Sequence, residues 1–355
     1  MKRAKRGPLR IGIAGLGFGL EVHLPAFRGI PDVEVVSLLG RDPVRAAAVA
    51  AQTGLPVATD LAAWLKAPLD AVSLALPPAE IEAVAMAAID RGLPILVEKP
   101  LGPDVGAAQR LAARATGRSC AVDFELAELE SFAALNEAIH ADAIGTVRHA
   151  TVQWLTQSRA YRGGGDGWSW KTDAARGGGA LTLFGTDVFY LLEWVMAPVT
   201  RLSARLDSRA SARLRPSPEA KPADDLANII VEHRDGAATS IVIGNANPGA
   251  AIHRWTIVGD RGTAILANTT GGFHHRLEIV DPDGKAIREV ADAEHDGDSR
   301  IAPFRRLATR FVEAVRSGGQ CRPSFADGLR VAHLVDATRR AAGAGNSVEV
   351  ATEAA

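Results

Sequence analysis

The feature that most restricts how this chain can fold is a regular alternation over its first third. Between Leu9 and Asp123, short apolar runs at 9–14, 33–39, 70–76, 94–98 and 119–123 alternate with alanine-rich amphipathic stretches near 20–29, 43–53, 78–91 and 104–115, and another follows near 127–140. A strand buried on both faces reads as an unbroken apolar run, and a parallel neighbour is reached only through a crossover long enough to hold a helix. The alternation therefore predicts a doubly wound parallel sheet with helices on both faces, assigned to residues 1–123.

After Gly145 the period changes. "TVRHATVQW", "NIIVEHR", "ATSIVIGN", "HRWTIVG", "GTAILAN" and "RLEIVD" read as strands, with "GDRG" and "DPDGK" as hairpin connections. Residues 124–355 are thus expected to form an open, mostly antiparallel sheet flanked by helices near 180–196, 302–317 and 325–342, the last two packing back on the first domain. A glycine-rich loop, "RGGGDGWSWKTDAARGGG", precedes the first of these helices, and 208–224 reads as an exposed loop.

Two domains suit a chain of 355 residues, because single cores seldom grow past roughly 250 to 300. With 47% hydrophobic and 23% charged residues and a net charge of -1, the chain has no polyelectrolyte character, which argues against a nucleic-acid partner. No apolar segment of membrane-spanning length occurs, and none of signal-peptide length follows the basic "MKRAKRGP". Cys120 and Cys321 are far apart, without CxxC or a histidine cluster nearby, which fits a reducing cytoplasm, buried thiols and no structural metal.

The stretch "GIAGLGFGLEVHLPAF" at 12–27 places a glycine turn between a predicted strand and a predicted helix. Gly15 and Gly17 sit where backbone must approach a pyrophosphate. The third small residue of GxGxxG is replaced by Leu20, with Gly19 one place early, so the motif alone also admits a plain glycine loop. The second strand ends "GRDP". Gly40 leaves room for a ribose 2'-phosphate and Arg41 can grip it through a charge-assisted fork, which favours NADP(H). NAD(H) stays open because Asp42 can neutralise Arg41 or bind ribose; RDP can also be a surface turn that caps the next helix.

"EKP" at 98–100 falls at the C-terminal end of a predicted parallel strand, the edge where open α/β sheets bind ligands. There Lys99 can protonate a developing alkoxide or, as the neutral amine, take a hydroxyl proton. For a lysine taken alone, an exposed strand end is the plainer reading. Asp123 and Glu125, ending the sheet's last strand, either bind substrate hydroxyls or cap the helix that follows.

In order and spacing, the glycine turn, "LPP" at 76–78, "EKPLG" at 98–102 and "GGGALTLFGTD" at 177–187 resemble the glucose-fructose oxidoreductase, inositol dehydrogenase and MocA family over nearly the whole chain. The resemblance implies a Rossmann domain followed by a sheet domain that forms the substrate pocket and a homodimer or homotetramer interface. It implies Gly15, Gly17, Phe18, Gly19 and Leu20 at the pyrophosphate, Leu76 and Pro77 near the cofactor, Glu98 and Lys99 beside the nicotinamide, and Lys99 as catalytic residue. Trp168, Trp170 and Lys171 resemble the family's segment that reaches toward nicotinamide and substrate. His23 stands at the family's usual histidine position and is read as structural.

The chain also departs from the pattern. Where the family runs Asp-x-x-x-His, this sequence has Leu183 and Asp187, and Ile81 replaces a common histidine. Four positions along a helix share a face, so Asp187 can still point to the site as base, relay or substrate ligand; alternatively it only pairs with Lys99 or Arg176. Tyr190, a turn later, is assigned to core packing. The expected activity is hydride transfer to or from a secondary alcohol or ketone of a sugar, cyclitol or related small molecule. Two alternatives stand: a cofactor-binding scaffold without the proton-transfer pair, or a relative using bound NAD in glycoside cleavage without net redox change.

Overall fold

The computed structural model describes residues 7–162, 167–270 and 272–351; the basic segment 1–6 and the centre of the glycine-rich loop, 163–166, lie outside the described residues. The chain divides into two compact units, Met1–Glu125 with His295–Leu329, and Leu126–Glu294 with Arg330–Ala355. In the first unit the strands are β1 Leu9–Ala14, β2 Val33–Leu39, β3 Val57–Ala58, β4 Ala71–Leu74, β5 Ile95–Glu98 and β6 Cys120–Asp123. They form one parallel sheet in the order β3-β2-β1-β4-β5-β6. Ile11, Ile13, Leu74 and Val97 have no exposure, as a sheet covered on both faces requires.

The crossovers carry α1 Leu24–Arg28, α2 Pro43–Thr53, α3 Leu61–Leu65, α4 Pro78–Asp90 and α5 Val105–Arg114. Asp42, Asp60 and Asp104 start α2, α3 and α5 by accepting backbone N–H bonds, which satisfies donors that a helix start leaves unpaired. The two-residue β3 and the single-turn α3 were not anticipated, since neither is long enough to show a period.

In the second unit, α6 Glu130–His140 precedes β7 Val147–Gln157, then α7 Thr186–Val195, β8 Val199–Asp207 and α8 Arg209–Ala212. The strands β9 Leu226–His233, β10 Ala238–Gly244, β11 Ala246–Gly259, β12 Thr263–Asn268, β13 Arg276–Val280, β14 Ala286–Ala291 and β15 Val348–Glu349 complete a nine-stranded sheet. Its order is β14-β13-β12-β11-β7-β10-β9-β8-β15, and among the described residues every pairing except β7 with β10 is antiparallel. Burial alternates residue by residue along β9, so one sheet face is covered.

Segment 208–224 is exposed at Arg209, Arg213, Arg215, Pro216, Pro218, Glu219 and Lys221, as expected of a surface loop, but it is pinned at two points. Ser211 and Ala223 are 0% and 1% exposed, and the Asp225 carboxylate accepts the Ser211 N–H at 2.8 Å, while the Ala223 N–H donates to Thr172 at 2.9 Å. Local hydrogen bonding to the aspartate fixes a segment of polar composition.

Two helices close the chain, α9 Ile301–Ser317 and α10 Phe325–Ala344. In the first unit, α9 buries Phe304, Leu307, Phe311 and Val312 in the same core as Ile11, Val35, Leu24 and Phe27. Phe27 meets Phe304 edge to face at 5.9 Å. Among the described residues no helix is long and apolar enough to cross a membrane.

Candidate active site

The turn after β1 is built on glycines with different jobs. Gly15 has φ 108°, and a Cβ there would overlap the Ala75 carbonyl oxygen and lie 2.8 Å from its carbon. Its N–H donates to Leu39 at 2.9 Å, which ties the turn to β2. Gly17 is exposed with open space around its missing Cβ, the cradle that a phosphate approaching backbone needs. At Gly19 a Cβ would come within 3.0 Å of Ile13, so this glycine allows the close helix–strand approach usually given to the third one. Gly19–His23 winds as one wide turn in which the Leu24 N–H reaches back to Gly19, and that extra residue absorbs the one-place offset of the motif. These residues fit a dinucleotide. Leu20, half-buried, also lines a cleft of about 590 Å³ with Leu24, Pro25, Arg28, Gln52 and Thr53.

At the end of β2, Gly40 is buried against Leu16, and Arg41 reaches Glu80 at 3.0 Å, close after the half-buried Leu76 and Pro77. Asp42 is the cap of α2, accepting from Val44 at 2.9 Å and Arg45 at 3.2 Å. Ile81 is fully buried, so the residue in place of the common histidine serves packing.

Glu98, ending β5, pairs in register with Asp123, ending β6, and Lys99 follows, half-buried. Glu98 Oε1 lies 3.0 Å from His23 Nε2, whose Nδ1 lies 2.8 Å from Ser73 Oγ on β4. Asp123 Oδ2 is 3.9 Å from the same Nε2. Asp123 and Glu125 are buried at 1% and 9%. His23 stacks on Phe304 at 4.0 Å and takes Phe18 edge-on at 5.4 Å. Burial pushes the imidazole down to about 3, so it is neutral. His23, Glu98 and Asp123 bring potential metal-ligand atoms within 4.8 Å of one another, but the hydrogen bond to Glu98 engages the imidazole nitrogen that would face an ion.

In the second unit, the triple glycine has a packing reason. A Cβ at Gly178 would overlap the Trp170 carbonyl and sit 2.7 Å from the Lys171 carbonyl carbon, and one at Gly179, φ 120°, would overlap Asp224. The Gly179 N–H donates to Lys171 O at 3.0 Å. The turn bearing half-buried Trp168 and Trp170 and exposed Lys171 is thereby fastened to the start of the helix that carries Leu183 and Asp187. Lys171 Nζ lies 5.8 Å from the Trp170 ring centre, and Asp187 is 3% exposed. The half-buried Asp224 carboxylate accepts the Leu181 N–H at 2.7 Å; desolvation pushes its pKa up, opposed by that bond and by Arg339. Ser73 and Asp224 escaped sequence reading. A lone hydroxyl in the apolar run "AVSLAL" was the available signal for the first, and nothing local marks the second.

Cys120 and Cys321 are buried and not joined in a disulfide, and burial raises the Cys120 thiol to about 11, which keeps it unreactive.

Residues 9–125 match the family described as "Oxidoreductase family, NAD-binding Rossmann fold", and 132–265 match the "GFO/IDH/MocA C-terminal domain". Inositol 2-dehydrogenase 1 of Saccharopolyspora erythraea is 28% identical over 367 residues, covering 96% of each chain. The solved oxidoreductase domain protein from Kribbella flavida matches with a TM-score of 0.86 and 25% identity, over 98% of this chain and 100% of that one. Levoglucosan dehydrogenase in complex with NADH and levoglucosan shares the fold, with a TM-score of 0.84 and 21% identity over 97% and 99% of the two chains. The chain belongs to the GFO/IDH/MocA oxidoreductases and is an NAD(P)-dependent dehydrogenase or reductase.

Proposed function

We propose that the enzyme moves hydride between NADP(H) and a secondary alcohol or ketone of a sugar, cyclitol or related small molecule, with Lys99 as acid or base and Asp187 assisting it. The observation that carries this reading is that Lys99 and the Gly15–Gly17 turn occupy one edge of one sheet, on strands two places apart in the order β1-β4-β5. Neighbouring strands lie ~4.8 Å apart, so about 10 Å separates the pyrophosphate turn from the lysine, within the span of a dinucleotide.

When bound, the nicotinamide supplies or accepts the hydride. Gly15 and Gly17 let the backbone close on the pyrophosphate, and the helix start at Phe18, Gly19 and Leu20 favours its charge. Leu76, Pro77, Glu98 and Trp170 border the cofactor. In reduction, Lys99 Nζ gives a proton to the substrate oxygen as that oxygen gains charge; in oxidation, its neutral amine takes the hydroxyl proton. Asp187 holds the amine charged or relays its proton. Asp123, Trp168 and Lys171 bind the substrate, the indole covering an apolar ring face and Lys171 donating to hydroxyls.

The preference for NADP(H) rests on Gly40 and Arg41. The Arg41–Glu80 pair is exposed on the arginine side, and such pairs contribute only about 0–1 kcal/mol, so a 2'-phosphate can displace it. The enzyme acts in the cytoplasm as a homodimer or homotetramer, the second copy covering the sheet face that exposes Ile230 and Ile252.

The test is a polyol and ketose screen following reduced-nicotinamide absorbance, with Lys99→Ala alongside. Loss of about 10²- to 10⁴-fold is expected. Undiminished turnover in Lys99→Ala refutes the assignment, and sedimentation as a monomer refutes the assembly.

A further inference from the structure

A hydroxyl and an imidazole inside a sheet buried on both faces are costly unless each finds a partner. Ser73 and His23 are both 0% exposed, and their partners form a chain of bonds ending at Glu98. Its direction follows from the groups. An ionised carboxylate only accepts, so His23 Nε2 carries the proton and donates to Glu98, while Nδ1 accepts from the Ser73 hydroxyl. Phe304 against one ring face and the edge of Phe18 restrain rotation. Packing alone would be met by any aromatic ring of this size; the two polar contacts are surplus to it. The charged and titratable groups around the cluster are Glu98 and then Lys99 on β5, Asp123 on β6, Glu125 after it, and Arg300 before α9, itself paired with Asp298 and Glu21.

We propose that His23 is a positioning residue: its imidazole, fixed by Ser73 and the two aromatic rings, holds the Glu98 carboxylate in one orientation at the end of β5 and so steadies the backbone that presents Lys99, the next residue along. This inference rests on the reading of Lys99 as the acid or base. A histidine read as structural from sequence thereby acts on the chemistry without touching substrate.

The test avoids turnover, so that its failure is separable from failure of the Lys99 assignment. Nitrogen-15 spectra of the imidazole and spectra of carbon-13-methylated Lys99, identified by its loss in Lys99→Arg, are recorded for the full chain with and without NADPH. The wild-type His23 should stay neutral with its proton on Nε2 from about pH 8 to about pH 5. His23→Phe keeps the ring but removes the donor, and the methylated Lys99 signal should then move and broaden as the neighbouring carboxylate loses its fixed orientation. His23→Gln, which retains an N–H, should restore much of the difference. An Nδ1 proton in the wild type, or a Lys99 signal unchanged in position and width in His23→Phe, overturns the proposal. If His23→Phe does not fold, Ser73→Ala decides: its imidazole proton should divide between both nitrogens with the Lys99 signal altered in the same sense, and a wild-type spectrum would overturn the inference. Activity retained in Lys99→Ala would instead remove the assignment on which it rests.

Discussion

Alanine at Gly15 and alanine at Gly17 should have opposite kinds of effect, although the two residues are separated by one position. At Gly15, φ 108° is a region that costs an L-residue about 1–3 kcal/mol. The new Cβ would also overlap the Ala75 carbonyl oxygen, with the carbonyl carbon 2.8 Å away, so the turn must move from the end of β4 by more than half an ångström in a close-packed core. Overpacking of this kind adds about 1–3 kcal/mol. Together they remove about 2–6 kcal/mol, or roughly 5–20 °C of melting temperature for a unit of this size. At Gly17 the φ lies outside the left-handed range and nothing stands within 4 Å of the Cβ. Stability there should change by no more than about 0.5 kcal/mol, or rise slightly because alanine restricts the unfolded chain. The methyl group instead occupies the open cradle, and NADPH affinity should fall by about ten- to a hundred-fold, the effect of losing one or two backbone contacts to phosphate. Thermal unfolding by circular dichroism without cofactor, and NADPH fluorescence titration, measure the two effects separately. A Gly17→Ala protein that binds NADPH like the wild type refutes the cradle; a Gly15→Ala protein that melts normally refutes the packing argument.

Arg41→Ala should weaken NADPH binding by about ten-fold or more while leaving NADH affinity nearly unchanged; equal affinity of the wild type for both cofactors would contradict the preference. Asp224→Ala should cost about 1–3 kcal/mol in urea unfolding by stranding the Leu181 N–H, whereas Asp224→Asn, which keeps an acceptor and sheds a desolvated charge, should cost distinctly less. Acid should destabilise the fold through its buried histidines. His23 titrates near 6.5 when unfolded but is held at about 3 when folded, so the unfolded chain binds the extra proton as pH falls between those values. Stability from this group is full above the unfolded pKa and declines by up to about 1.4 kcal/mol per pH unit below it. His253, buried and lowered by desolvation and by His275, acts in the same direction. His23→Phe should therefore flatten the slope of stability against pH by about one proton between pH 4 and 6, seen in urea midpoints; parallel slopes would mean that His23 is protonated in the folded state.

Five strands of the first sheet were readable because each is an apolar run and the crossovers between them carry amphipathic helices; α2 falls on the expected 43–53, whereas β3 and α3 are too short to show a period. β8, with Arg201 and Arg205 facing outward, and the edge strand β14, exposed at every second residue, lack such runs and escaped notice. The glycine motif looked defective at Leu20 because the sequence cannot announce a wide helical turn, and the fold restores its third glycine by spacing. The chemical residues were visible as types. Their partners were not, because Ser73 meets His23 across 50 positions and Asp224 meets Leu181 across 43, separations that carry no local period.

The nucleotide-binding unit is discontinuous along the chain, and this has consequences for its biogenesis. Phe304, Leu307 and Phe311 fill its interior but leave the ribosome only after residues 126–294, the greater part of the sheet domain, have been made. Until then Leu24, Phe27 and Ile30 lack their cover, so the nascent amino-terminal half needs chaperone shielding or a slow final docking. A premature stop anywhere between 125 and 320 would thus disable cofactor binding despite sparing every glycine of the turn, and a soluble excised nucleotide module would require residues 295–329 spliced back on.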